Sequence, residues 1–345
     1  MSTGYPPPSA DTRSGLPGPV VVPGGSGDGG LPHTSGGGSV GRGDRVFKSV
    51  SVTAGCTVLL IILAIGAFLV IQAVPALRAN TANFLTEKKF FPNDPRPAFG
   101  IASLTFGTLL SSTIALLLAF PVAVGVALFI SHYAPRRLAT LLGYVVDLLA
   151  AVPSVVYGLW GISFLNPRIQ DTSRFLDVHL GFLPFFSTGG TYGHSVFLAG
   201  VVLAIMVLPI VASLSREVFL QVPAANQEAA LALGATRWEM VRIAVLPFGR
   251  PGVIGATMLG LGRALGETIA VALVLSTSAS ISFKVLEPGG NSIAANIANG
   301  FGEANEIGRG ALIASGLVLF VITLVVNVAA RAVIYRRKDF TDGSL

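Results

Sequence analysis

Six stretches of this chain stay apolar for longer than the roughly 20 residues that a helix needs to cross a bilayer. They run over 49–75, 99–130, 138–165, 195–219, 251–279 and 310–335. Hydrocarbon offers no water to backbone amides, so such runs become helices. The chain is therefore expected to be an all-α membrane protein with six transmembrane helices. Charge content agrees: 12% of the 345 residues are Asp, Glu, Lys or Arg, about half the share found in soluble domains. The formal net charge of +6 does not call for nucleic acid, because cytoplasmic loops of membrane proteins are rich in Lys and Arg. The expected surroundings are membrane lipid, with no nucleic acid.

Residues 1–44 are dense in Gly, Pro and Ser ("GYPPPS", "VVPGGSGDGG", "TSGGGSVGRG") and lack an apolar face, which predicts a disordered tail. Residues 45–98 read as the first span and an outer loop, 99–338 as the membrane core with a polar loop at 222–250, and 339–345 as a C-terminal tail. No basic segment followed by a short apolar one opens the chain, so the first span is expected to be a retained anchor. With the N-terminus inside, twelve Lys and Arg flank the inner ends and eight lie on outer segments. The sharpest cues are "HYAPRR" after the second span and "YRRK" after the sixth. Both termini are accordingly placed in the cytoplasm and the protein in the cell membrane. An outer mouth is expected from 76–98, 166–194 and 280–309. Pro121, Pro153 and Pro209 interrupt spans; such breaks can line a pathway or be packing kinks. Cys56 is the single cysteine, which excludes an intrachain disulfide and a Cys-based metal site. His33, His132, His179 and His194 show no ligand spacing.

The polar loop contains "QVPAANQEAALALGATRWEMVRIAVLPFGRPG". Pro223 suits a first helical position, Ala224 to Leu233 are strong helix formers, and Gly234 suits the residue beyond a helix end. Thr236 and Glu239 fit a capping box that opens a second helix, expected to end at Leu246 because Pro247 follows. Two short helices meeting at a glycine make a rigid prong. The plainer alternative is an amphipathic connector lying on headgroups.

The fifth span contains "GLGRALGETIAV" at 260–271. One ionised side chain at a helix centre costs about 2.5–3.5 kcal/mol on insertion scales, yet this span carries Arg263 and Glu267. At i and i+4 of a helix they share a face. In one reading they form an internal ion pair that locks packing, with Gly262 and Gly266 giving a GxxxG close approach. In the other, Arg263 meets an anion, since a guanidinium offers paired donors to phosphate and never loses its proton. Glu267 would then hold the Arg and balance its charge. The residues alone leave both readings open. Asp147 is a further acid at membrane depth, available to Arg263, to a partner's cation or to a structural role. Ser154 and Tyr157 carry hydroxyls beside Pro153 that either line a pathway or pack. Thr268 can bond its own helix backbone.

The run "EAALALG" followed by "AVLP" resembles the EAA loop of ABC importer permeases, E-A-A-x3-G-x9-I-x-L-P. Glu228, Ala229, Ala230, Gly234, Leu246 and Pro247 match at intact spacing, Arg237 lies between them, and Ala244 stands where Ile is usual. The resemblance implies an ABC-importer (type I) permease core whose cytoplasmic two-helix coupling loop docks on an ATPase dimer. No G-x-x-x-x-G-K-[ST] run is present in the chain, so ATP and Mg are expected on that partner. This chain is then expected to bind no cofactor, to hold no metal and to be a channel subunit rather than an enzyme. "GRALGETIAV", "AVPSVVYGLWG" at 151–161 and "GLVLFVITLVVN" at 316–327 are similar to the permeases of phosphate-specific ABC importers. Such importers pair two related permeases, and "AV" after "GETI" resembles the C-type one rather than its A-type sister, which usually reads "AP" there. That likeness covers roughly 48–338. It implies import of inorganic phosphate, with Arg263 and Glu267 needed for translocation. Thr268, Ser154 and Tyr157 are further candidates for the same substrate pathway. It also implies a sister permease subunit in a heterodimer and an extracytoplasmic phosphate-binding protein. Two rivals remain. One is a permease for sulfate or molybdate; the other is a proton-coupled carrier with Glu267 or Asp147 as relay.

Overall fold

Five of the apolar runs are single helices long enough to span a membrane: Gly43–Ala79, Ala102–Tyr133, Val196–Leu220, Arg237–Gly266 and Glu306–Ala332. The run at 138–165, which predicts one more straight span, is instead a bent pair: Arg136–Ala150 and Ser154–Leu180 meet at 88°. The cause is Pro153, whose backbone is extended at φ −59°, ψ 137°. Its ring removes a helical donor and biases the preceding residue away from helix. Pro121 and Pro209 sit inside continuous helices, so of the three prolines only Pro153 marks a bend.

The computed structural model describes residues 42–338 apart from 184, 189, 277, 279 and 280. The tails predicted at 1–41 and 339–345 lie outside the described residues, and 42–44, counted with the first tail, already belong to a helix. In chain order the elements are α1 (Arg42–Ala79), β1 (Phe90–Phe91), β2 (Ala98–Phe99), α2 (Ala102–Leu128), α3 (Arg136–Ala150), α4 (Ser154–Trp160), α5 (Asn166–Leu180), α6 (Val196–Leu220), α7 (Ala224–Ala232), α8 (Arg237–Met240), α9 (Leu246–Gly266), α10 (Ile269–Val274), α11 (Ile293–Gly300) and α12 (Glu306–Lys338). Single π-helical turns follow α2 at Phe129–Tyr133, α4 at Gly161–Leu165 and α8 at Val241–Val245. The chain divides into units 1–57 and 58–345. The described part of the first is the opening of α1, exposed from 43 to 57.

Within the second unit, α6 is the buried centre. Leu198, Leu203, Met206, Val207 and Val211 are each no more than 1% exposed. Spans in lipid gain little from hiding apolar surface and associate through close packing of small residues. Accordingly Ala115, Ala119 and Ala123 of α2, four residues apart and fully buried, share a cluster with α6. Gly200 of α6 admits Ile114, whose Cγ2 would stand 2.5 Å from a Cβ placed there. On α9 the close approach belongs to Gly260, where a Cβ would lie 2.7 Å from Val207 and Val211. The pair expected to do this, Gly262 and Gly266, meets nothing within 4 Å.

α9 does not start where the sequence suggests. Helix runs without interruption from Arg237 to Gly266, so Pro247 does not end the prong's second helix at Leu246. The π-turn explains it: the Leu246 amide bonds the Val241 carbonyl five residues back. This wider ladder, just before Pro247, absorbs the donor that proline lacks. At its other end the span is shorter than the predicted 251–279. It stops at Gly266, and the chain restarts as α10 after Glu267 and Thr268.

Candidate functional site

Arg263 stands in the last turn of α9 and is exposed. It lines an open cleft of about 450 Å³ together with Ile210, Met258, Leu259, Gly262 and Asn327. Glu267 follows at i+4 as the cap of α9, and beyond it the chain leaves the helix at ψ 125°. Among the described residues the ion pairs are those of Arg216 with Asp147 and Glu217; Arg263 is in neither. Instead Glu267 Oε1 accepts the Ala270 amide at 3.3 Å, covering an amide at the start of α10, and the Thr268 hydroxyl donates to the Gly266 carbonyl at 3.1 Å. Free amides and carbonyls at such a break need partners, and these two side chains supply them locally. A helix broken at membrane depth is tolerated where it is buried in protein or lines a cavity, and here the break adjoins the Arg263 cleft.

The bend at Pro153 brings the remaining predicted residues to the same place. Ser154 opens α4 and is half-buried. Tyr157 is buried and its hydroxyl donates to the Leu149 carbonyl at 2.9 Å. That carbonyl, in the last turn of α3, also accepts the Val152 amide at 3.3 Å, so Tyr157 adds a second donor that reaches across the bend. Tyr157 also lies within coulombic reach of the Arg263 guanidinium. One residue on, Gly158 seats α4 against α10: a Cβ there would lie 2.9 Å from the Ala270 Cα. Two broken helices thus back onto each other, and Arg263, Glu267, Thr268, Ser154 and Tyr157 all sit at or beside their breaks.

Asp147 goes elsewhere. It receives the Ser213 hydroxyl at 2.5 Å and pairs with Arg216 at 3.4 Å, both on α6, rather than with Arg263. In the sequence Arg216 stands out only as an inner-end charge. A cross-helix pair at wide separation leaves no periodic signal to find it by.

The polar loop forms the expected prong. Pro223 is the N-cap of α7 rather than its first helical residue, one position earlier than expected. Gly234 turns the chain at φ +86°, a conformation that only glycine adopts without strain. The capping box is complete: the Thr236 amide donates to Glu239 Oε2 at 2.8 Å and the Glu239 amide to Thr236 Oγ1 at 3.3 Å. Ala230 is the inward anchor, clustered with Phe219, Met240, Val241 and Val245. Glu228, Ala229, Arg237 and Pro247 are exposed and Leu246 is half-buried. Beside them Leu233 is 89% exposed and Trp238 56%. Nothing in the sequence singles out these two apolar side chains, since only the motif positions carry a pattern.

A multi-span helical membrane protein with a two-helix prong and a broken, arginine-bearing span is the class that this geometry defines. The chain belongs to the family described as the binding-protein-dependent transport system inner membrane component, whose model matches residues 119–339. Among its relatives is the phosphate transport system permease protein PstC 2 of Mycobacterium tuberculosis, 52% identical over 85% of this chain and 92% of that protein. The PstC proteins of Mycobacterium leprae and Xylella fastidiosa are 50% and 42% identical, over 85% and 86% of this chain and 93% and 91% of theirs. A solved structure of the MetNI methionine ABC transporter aligns at 17% identity with a TM-score of 0.48, covering 67% of this chain and 92% of that one.

Proposed function

We propose that this chain is the permease subunit of an ATP-driven importer of inorganic phosphate. It forms the translocation pathway and receives the work of ATP hydrolysis through its prong. The reading rests on one observation above others: Arg263 projects into an open cleft at a helix break without Glu267 as an ion-pair partner. A permanently charged guanidinium with five donors is suited to a tetrahedral oxyanion. The relatives named as phosphate permeases support phosphate over sulfate or molybdate.

In this mechanism a binding protein delivers phosphate to the mouth, the ATPase dimer closes on the prong, and the spans rock. The anion passes Arg263 and is released when hydrolysis reopens the inner side. Glu228, Ala229, Ala230, Gly234, Arg237, Leu246 and Pro247 hold or present the docking surface, and the exposed Leu233 and Trp238 give it apolar grip. A sister permease completes the pathway, ATP and Mg reside on the ATPase, and both termini face the cytoplasm. Reconstitution with the ATPase, the sister subunit and the binding protein in liposomes tests this. ATP-dependent uptake of labelled phosphate, lost in Arg263→Ala and unaffected by excess sulfate, is expected. Uptake driven by a pH gradient without ATP, or competed by sulfate, would overturn it.

A further inference from the structure

The prong reaches one wall of the site directly, because its second helix continues into α9 and ends beside Arg263. Beside the same break stands α4, whose Gly158 packs on α10; α3 precedes it across the bend, and the chain leads on from it to the prong through α5 and α6. A polar clasp joins α3 to α6. On α3, Gly143 and Asp147 are four residues apart and share a face; on α6, Ser213 and Arg216 are three apart and share another. Asp147 receives Ser213 at 2.5 Å through one carboxylate oxygen and Arg216 at 3.4 Å through the other. Glu217 accepts from the same guanidinium at 2.8 Å. The Arg216 side chain is 16% exposed, and its slot exists because Gly143 has no side chain: a Cβ there would collide with Nη1.

With the Arg216 side chain 16% and the Asp147 side chain 46% exposed, the ion pair adds little net stability. What such a pair does provide is a fixed relation between two helices. Arg216 lies just over one helical turn before Gln221, where α6 gives way to the prong. Phe219 of α6 packs in the same cluster as Ala230 of the prong. Beyond the clasp, Tyr157 ties α4 back to α3 across the bend through Leu149, and Gly158 seats α4 on α10.

We propose that Asp147 and Arg216 are positioning residues that bind α3 and α6 into one moving body, so that a shift of the prong carries α4, beside the Arg263 site, with it. This rests on the importer reading above. The test uses the full complex in liposomes with Cys56→Ser as background and reads phosphate moved per ATP hydrolysed. Asp147→Asn is expected to lower that ratio about tenfold or more, a coupling loss of the usual allosteric size, while ATP turnover stays within about twofold. Asp147→Cys with Ser213→Cys is expected to be equally uncoupled, and bridging the two thiols with a short bifunctional thiosulfonate is expected to restore the ratio. A merely structural role predicts no such recovery.

An unchanged ratio in Asp147→Asn, or a bridge that fails to restore or further lowers it, overturns the clasp while leaving the importer reading intact. If Asp147→Asn does not assemble, the bridged pair decides. A background complex that moves no phosphate with ATP overturns the importer reading, and the clasp with it.

Discussion

At the scale of single residues the site separates roles that the sequence runs together. Arg263 and Glu267 look like a pair, but one faces a cleft and the other covers the start of α10. Their substitutions are therefore expected to differ in kind. Arg263→Ala should abolish phosphate uptake by the assembled complex, and Arg263→Lys should keep only part of it, because an ammonium retains charge but not the planar fork. Glu267→Gln keeps an oxygen for the Ala270 amide and is expected to preserve folding, whereas Glu267→Ala should lower the melting temperature in detergent. Tyr157→Phe removes one of two donors to the Leu149 carbonyl, which keeps the Val152 amide, so a loss of about 1 kcal/mol is expected in the same melting measurement. The charges at 263 and 267 are legible as unusual in a span. Their lack of pairing is not, because Glu267 turns to the Ala270 amide at a backbone break that follows Gly266, and "LGET" reads as continuous helix rather than as a stop and a restart.

At the scale of elements, turn and cap chemistry is the most readable feature. Gly234 and the Thr236–Glu239 box take the places that their side chains dictate. Gly234→Ala is expected to cost about 1 kcal/mol for its positive φ, and Thr236→Ala about 1 kcal/mol for the lost cap. Both losses should appear as weaker coupling between ATP turnover and uptake before assembly fails. Proline is less legible. Pro153 breaks a span, while Pro121 and Pro209 do not and Pro247 is absorbed by a π-turn. Neighbouring backbone decides among these outcomes, and composition does not report it. Glycine spacing misleads in the same way, because GxxxG gives a period without saying which helix stands opposite. Gly260→Val is expected to lower the thermal stability of the isolated chain, where Val207 and Val211 crowd the position. Gly262→Val should not, and equal melting temperatures for the two variants would contradict this packing.

At the scale of the whole molecule, lipid immersion and helical class follow from run length alone, since hydrocarbon permits few alternatives. Five of six spans are single helices and the sixth is a bent pair. The assembled machine carries its own prediction: proteolysis of right-side-out vesicles should spare an epitope placed at the C-terminus and remove it once they are opened. One feature of the architecture sets how motion is delivered. The unbroken helix from Arg237 to Gly266 has 30 residues and, at 1.5 Å of rise each, is about 45 Å long. A tilt of about 5° at its docked end would sweep the far end through roughly 4 Å over that length, comparable to the diameter of a desolvated oxyanion. Such a lever has no slack to take up, so in the proposed importer a small clamp movement outside the bilayer would suffice to open or shut a passage deep within it.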